Sequence, residues 1–327
     1  MLAPHLDKAF DTADMQKVPS RNGYGEGLVE AGKRDKNIVA LAADLTESTR
    51  TLPFAEAFPD RFVQVGITEQ NMASVASGMA AMGKVPFIAS YAMFSPGRNW
   101  EQIRTTIAYN QSNVKIIGAH AGVSVGPDGA THQAIEDIAL MRVVPNMVVI
   151  APADVHEARK ATLAAAKYDG PVYIRVGRSN TPVVTTAESP FEIGKAEVMY
   201  TKTVDSDTSV GIVVTGTLLF NALKAAQALE AAGIGATVLH MPTIKPLDTK
   251  ALLALAEKHT GLVTVEEHQR AGGLGGAVTE YLSEVSPIKI VRVGVDDQFG
   301  QSGEPEELIE HYGMGVDAIV AAAKKAI

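Results

Sequence analysis

Residues 37–82, NIVALAADLTESTRTLPFAEAFPDRFVQVGITEQNMASVASGMAAM, decide the fold. NIVALAAD, from Asn37, and RFVQVGI, from Arg61, are short apolar runs that read as strands. The small-residue stretch from about Thr68 to Met82 reads as a helix. Downstream, KVPFIASYA, NVKIIGAHAG and MVVIAPAD repeat the apolar run with helical stretches between them, and PVYIRVG, from Pro171, closes the set. Strand alternating with helix predicts a doubly wound parallel sheet. After Gly177 the pattern breaks into SNTPVVTTAESPFEIGKAEV, rich in Ser, Thr and Pro, which reads as a linker. A second alternating set follows, from SVGIVVTG to KIVRVGV. The expected organisation is α/β throughout: a leader over 1–17, a parallel-sheet domain over 18–180, a linker over 181–200, and a smaller α/β domain with a mixed sheet over 201–327.

Bulk composition fits this reading. The chain has 327 residues, 46% hydrophobic and 20% charged, enough for about two domains. Its apolar share is mainly Ala, Val, Ile and Leu, which suits buried parallel strands covered by helices. The formal net charge of −8 and the lack of a Lys/Arg run argue against nucleic acid or an acidic membrane as partner. With no cysteine, disulfides, thiolate metal sites and a Cys nucleophile are excluded. No stretch is long and apolar enough to span a membrane, and the first residues do not form a signal peptide, so a cytoplasmic protein is expected.

Ligands of open parallel sheets gather beyond the carboxyl ends of the strands. Four such ends carry unusual polar content: Asp44 to Ser48, Glu69, His120, and Arg175 to Arg178. Glu69 follows a strand and opens a helix. It either satisfies backbone N–H groups at the helix start or shares a proton with a heteroaromatic nitrogen. In GAHAGVSVGPDGATHQAIED, the residues His120, Asp128 and His132 can supply proton transfer and hydrogen bonds to hydroxyls. The alternative for that segment is a turn and a helix capped by Thr131. No metal-ligand spacing is present. Tyr91 and Phe94, in YAMFSPGRNWEQIR, are either core or a stacking surface for a flat ring. Arg21, Ser48, Arg175 and Arg178 either lie on the surface or form a phosphate pocket, since Arg pairs bidentately with phosphate. RAGGLGGA, from Arg270, does not meet the G-x-G-x-x-G pattern and reads as a tight turn.

In this order, the stretches ALAADLTEST, VQVGITEQNM, YAMFSPGRNWEQIR, GPDGATHQ with LMRVVPNMVVIAPAD, and YIRVGRSNTP resemble the pyrimidine-binding and C-terminal domains of transketolase, from about Arg21 to the end of the chain. The resemblance implies thiamine diphosphate as cofactor. It implies that Glu69 hydrogen-bonds N1′ of the aminopyrimidine, that Phe94 stacks on that ring, and that Tyr91 lines the same pocket. Asp44 is implied to lie near the thiazolium and diphosphate. His132 is implied at the reacting carbonyl, and Asp128 at the acceptor's 2-hydroxyl. Arg21, Ser48, His120 and Arg178 are implied to hold the substrate's phosphate. The implied reaction moves a two-carbon ketol unit from a ketose phosphate to an aldose phosphate.

The Gly-Asp-Gly segment and downstream Asn that hold Mg²⁺ and diphosphate in such enzymes are absent from the sequence. A split enzyme is therefore expected. A separate N-terminal, diphosphate-binding transketolase subunit would hold Mg²⁺ (or Ca²⁺), in an assembly with two copies of each chain. Within the same chemistry, a 1-deoxyxylulose-5-phosphate synthase or a 2-oxo-acid dehydrogenase β subunit is the rival reading. A non-catalytic structural or regulatory subunit is the rival from another class.

Overall fold

The computed structural model describes residues 1–204 and 208–327. Along the first half run β1 (Lys17–Val18), α1 (Ser20–Arg34), β2 (Ile38–Ala42), α2 (Leu52–Ala57), β3 (Phe62–Gln64), α3 (Glu69–Ala81) and β4 (Val85–Tyr91). Then come α4 (Trp100–Gln102) with a π-helical turn (Ile103–Ala108), β5 (Lys115–Ala119), a 3₁₀ turn (Val123–Asp128), α5 (Asp137–Arg142), β6 (Val148–Ile150), α6 (Val155–Lys167), β7 (Val172–Val176) and β8 (Thr181–Pro182). The second half holds β9 (Glu197–Tyr200), β10 (Ser209–Val214), α7 (Leu219–Ala231), β11 (Gly235–His240), β12 (Thr243–Lys245), α8 (Thr249–Ala256), β13 (Gly261–Gln269), α9 (Leu274–Val285), β14 (Ile290–Val295), α10 (Pro305–His311) and α11 (Val316–Ala326).

The first sheet has seven strands in the order β12-β6-β7-β5-β4-β2-β3. From β6 to β3 all neighbours are parallel, and β12 closes one edge antiparallel to β6. The second sheet, β14-β13-β10-β11-β9, is parallel except for the edge strand β9, and is therefore mixed. Central strands such as β2, β5 and β7 are buried at every residue, which explains their unbroken apolar sequences. In the sequence reading β12 has no counterpart. It belongs to the second half of the chain by order and to the first sheet by pairing.

One apolar core runs between the two sheets, from Leu41, Met72, Ile88 and Ile116 to Leu239, Leu252, Leu262 and Leu282. Each fully buried aliphatic side chain there contributes about 1.5–3 kcal/mol. The other face of the first sheet is covered by α1 and α6, which pack closely because α1 presents glycine. A Cβ on Gly23 would stand 1.9 Å from the Val155 carbonyl oxygen, and one on Gly27 would stand 2.8 Å from the Thr162 Cβ. This contact anchors the first turn of α1, which carries Arg21. Leu6 and Phe10, from the stretch read as a leader, lie in the core of the second sheet. Of the stretch read as a linker, Thr181–Pro182 and Glu197–Tyr200 are strands. Among the described residues no helix is long and apolar enough to cross a membrane.

Candidate functional site

Five strand ends meet at the carboxyl edge of the first sheet. β2 leads to Asp44, β3 to Glu69, β5 to His120 and β7 to Arg178, while β4 ends at Tyr91. β2 connects outward to β3, whereas β4 lies on its other side, so the crevice between β2 and β4 is a topological switch point, where such sheets bind ligands. Asp44 and His120 have φ of 63° and 55°. Non-glycine residues seldom take this conformation, and it concentrates at binding and catalytic sites.

Glu69 is the first residue of α3 and is 1% exposed. Its Oε1 accepts from Ser90 Oγ at 3.1 Å, and its Oε2 accepts from Arg98 Nη1 at 2.6 Å. Arg98 Cζ lies 4.6 Å from the centroid of the Phe94 ring. The return of the chain needed for this is tight: a Cβ on Gly97 would meet the Met93 carbonyl oxygen at 1.9 Å. Asn99 Nδ2 fastens the turn, donating to the Glu69 carbonyl and to Ser95 Oγ. Tyr91 lies near parallel to Phe94, with ring centroids 6.2 Å apart, and stacks on His120 at 3.8 Å. His132 presents its edge to Phe94 at 5.6 Å and to Tyr91 at 6.2 Å, and Thr131 Oγ1 is 2.9 Å from its Nδ1. Thr131 does not cap a helix as the sequence suggests, because α5 begins later, at Asp137.

Beyond Tyr91 the surface is cationic. Arg21 Nη1 donates to the Ser48 carbonyl at 2.7 Å and lies 3.0 Å from His120 Nε2. Arg178 Nη1 donates to the Val125 carbonyl at 2.7 Å, and Arg50 Nε to Asn22 Oδ1 at 2.8 Å. An Arg side chain only donates, so His120 Nε2 accepts and the ring proton sits on Nδ1. That Nδ1 is buried and has no partner among the described residues, and neither does Arg21 Nε. Two orphan donors beside guanidinium groups suit an anionic oxygen. Burial, and then the charges of Arg21, Arg178, His132 and Arg50, push His120 down to about 3. The ring should therefore give the neutral Nδ1–H signature in ¹⁵N NMR from about pH 5 to about pH 8. An imidazolium signal near pH 6 would contradict this tautomer.

The structure thus brings Glu69, Tyr91, Phe94, His120, His132, Arg21 and the Ser48 carbonyl into one contiguous patch, with Arg178 electrostatically coupled to it. Asp44 and Asp128 lie exposed at the same edge, and their carboxylates accept no hydrogen bond among the described residues. Arg175 does not join the patch. Its Nε pairs with Asp137 Oδ2 at 2.9 Å and its Nη2 donates to the Glu267 carbonyl, inside the protein. Arg98, which touches both Glu69 and Phe94, is not singled out by the sequence reading. The signal lies in the spacing, since Arg98 comes four residues after an aromatic and its N–H donates to the Phe94 carbonyl. The turn RAGGLGGA is structural: the Glu266 carboxylate accepts from the N–H groups of Leu274 and Gly275 at the start of α9. Among the described residues there is no group of three or more side chains suited to a metal ion.

A parallel-sheet domain with this crevice, joined to a smaller mixed-sheet domain, is the pair of C-terminal α/β domains found in transketolases. The family described as "Transketolase, pyrimidine binding domain" matches residues 16–184, and "Transketolase, C-terminal domain" matches residues 199–319. The chain belongs to the transketolase family, whose cofactor is thiamine diphosphate. It is 45% identical to the "Putative transketolase C-terminal section" of Methanocaldococcus jannaschii, over 91% of this chain and 93% of that one. It is 39% identical to the "6-deoxy-6-sulfo-D-fructose transketolase subunit SqwH" of Clostridium sp., over 93% of this chain and 92% of that one. A solved structure described as "Split gene transketolase, inactive beta4 tetramer" superposes with a TM-score of 0.85 at 46% identity, covering 95% of this chain and 98% of the other.

Proposed function

We propose that the chain is the pyrimidine-binding and C-terminal subunit of a two-chain transketolase that moves a two-carbon ketol unit from a ketose phosphate to an aldose phosphate. The observation that carries this reading is the Glu69–Arg98–Phe94 arrangement. The Arg98 guanidinium is a flat group that lies over an aromatic ring and donates to a buried carboxylate. An aminopyrimidine protonated at N1′ is also flat and also donates. The residues present therefore fit that ring, provided that Arg98, whose side chain is 42% exposed, turns aside into solvent.

When bound, thiamine diphosphate supplies the electron sink for breaking the bond beside the ketose carbonyl. Glu69 would hold a proton at N1′. Phe94 and Tyr91 would form the apolar wall, and Asp44 would face the thiazolium and diphosphate side. Thr131 engages Nδ1 of His132, which leaves Nε2 to exchange a proton with the carbonyl oxygen of the sugar. Asp128 would accept from the acceptor's 2-hydroxyl. Arg21, Ser48, Arg178 and the Nδ1–H of His120 would take the phosphate, and that distant anchor keeps the carbonyl in place. The diphosphate and its Mg²⁺ (or Ca²⁺) would sit on the partner chain, in an assembly with two copies of each.

Two further observations support a site completed by another chain. Ile67, two residues before Glu69, is 69% exposed, and Asn71, Ser74, Gly78 and Ala81 continue an uncharged exposed stripe along α3. The similar split-gene chain, solved as a tetramer of itself, is described as inactive. The test mixes the chain with a purified partner carrying Gly-Asp-Gly and the downstream Asn, adds thiamine diphosphate and Mg²⁺, and follows transfer from xylulose 5-phosphate to ribose 5-phosphate. Turnover by the pair, and none by either chain alone, is expected. Turnover only with sulfo-sugars, as the name of the Clostridium relative describes for that protein, would replace the phosphate by a sulfonate in this reading. No turnover of any ketose would overturn it.

A further inference from the structure

The turn that carries Asp128 is held from the second domain. Its first residues form a mould around one side chain, Glu267, at the end of β13. Glu267 Oε1 accepts from the Ser124 N–H at 2.7 Å, and Oε2 accepts from Thr217 Oγ1 at 3.2 Å. The side chain is 4% exposed. Gly122 has φ of 88°, and a Cβ there would stand 2.2 Å from Glu267 Oε1. The backbone next to His120 therefore lies flat against this carboxylate, and only glycine fits between them. Gln133 braces the turn from the other side. Its Nε2 donates to the carbonyls of Val123 and Gly126, and also to that of Gln301, again in the second domain. A Cβ on Gly129 would stand 2.6 Å from Ser302 Oγ, so the segment after β14 closes over the turn.

We infer that Glu267 is a positioning residue: by binding the Ser124 amide it fixes residues 122–128 and so sets where Asp128 stands toward the sugar. This gives the second domain a part in recognition that its distance from Glu69 conceals. The role of Asp128 rests on the function proposed above, whereas the hold on the turn does not. Burial pushes the Glu267 carboxyl up, while the Arg175 charge and the Ser124 and Thr217 hydrogen bonds oppose this. What the turn needs is an acceptor oxygen in the right place. Glu267→Gln keeps one; Glu267→Ala removes it. Glu267→Asp keeps the charge but withdraws the oxygens by one methylene.

Two measurements test the inference. In the first, amide hydrogen exchange of the chain by itself is compared across the variants. With Glu267→Ala, exchange over residues 122–128 should accelerate about tenfold, as expected for losing one buried hydrogen bond, with α1 and α3 unchanged. Glu267→Gln should restore most of the protection. Should Glu267→Ala not fold, Glu267→Asp should give the same local acceleration. In the second, the reconstituted pair should show the acceptor KM rising about tenfold in Glu267→Ala, with kcat changing less and Glu267→Gln near wild type. Unchanged exchange over 122–128, or acceleration spread evenly over the whole chain, would overturn the positioning role. An inactive wild-type pair would count against the transketolase reading alone, and the exchange result then decides the positioning.

Discussion

Replacing Glu69 by glutamine in the reconstituted pair should lower ketol transfer by about 10²- to 10⁴-fold, the range for losing a group that manages a proton in the reaction. Glutamine keeps the size of the side chain and an oxygen for the Ser90 hydroxyl. It cannot share a proton with a heteroaromatic nitrogen. The loss should appear first in exchange of the cofactor's thiazolium C2 proton with solvent, which should slow by a similar factor. Stability should change little. Removing the charge of Glu69 leaves only Arg98 unpaired, and that side chain is 42% exposed and can be solvated. A melting temperature near wild type with activity lost is the expected combination. Near-normal activity in Glu69→Gln would remove Glu69 from the chemistry.

A stability effect of comparable size is expected at the junction of the two domains. His240, in β11, and Glu157, in α6, are both buried, with Nε2 and Oε2 2.8 Å apart. Glu157 Oε2 also accepts from the Ala153 N–H, and His240 Nδ1 lies 3.3 Å from the Val214 carbonyl. Burial alone would push His240 down, but the Glu157 charge and hydrogen bond, with help from Val214, raise it above its ordinary 6.5. The pair's contribution is therefore complete below pH 6.5 and is lost as the pH rises through the higher value of the folded state. His240→Leu should cost about 3–5 kcal/mol, because it leaves a buried carboxylate without its cation. Changing Glu157 to Met in the same chain should recover most of this, since an apolar pair is often as stable as a buried ionic one. Urea denaturation of the single and double variants measures both. A cost below about 1 kcal/mol for His240→Leu would show that the pair does not hold the domains.

Most of the strands are legible in the sequence for a simple reason. β2, β5, β7 and β10 are buried at every residue, so their apolar runs are unbroken. Two strands lack this mark. β9 sits at a sheet edge with Val198 exposed, inside a Ser/Thr/Pro-rich stretch. β12 spans only Thr243–Lys245, and its place is fixed by tertiary contacts: it pairs with β6, and Lys245 Nζ donates to the carbonyls of Arg142 and Val144. The site divides in the same way. Glu69 and His120 are marked by polarity at the end of an apolar run. Arg175 and Arg178 look alike in YIRVGR, yet one is buried on Asp137 and the other reaches the turn at Val125. Residue type does not separate them: Arg175 lies within β7 and is buried, whereas Arg178 lies past the end of that strand. Arg98 and Glu267 are harder to read for a different reason: each takes its role from a partner distant in sequence, Glu69 for Arg98 and Ser124 for Glu267.

The central claim is that this chain is half of a cofactor site. Titration of thiamine diphosphate with Mg²⁺ tests it most directly, into the chain alone and into the chain mixed with a diphosphate-binding partner. Weak or undetectable binding to the chain alone, with saturable binding and ketol transfer by the mixture, is the result this account predicts. Tight binding and turnover by the chain alone would contradict it.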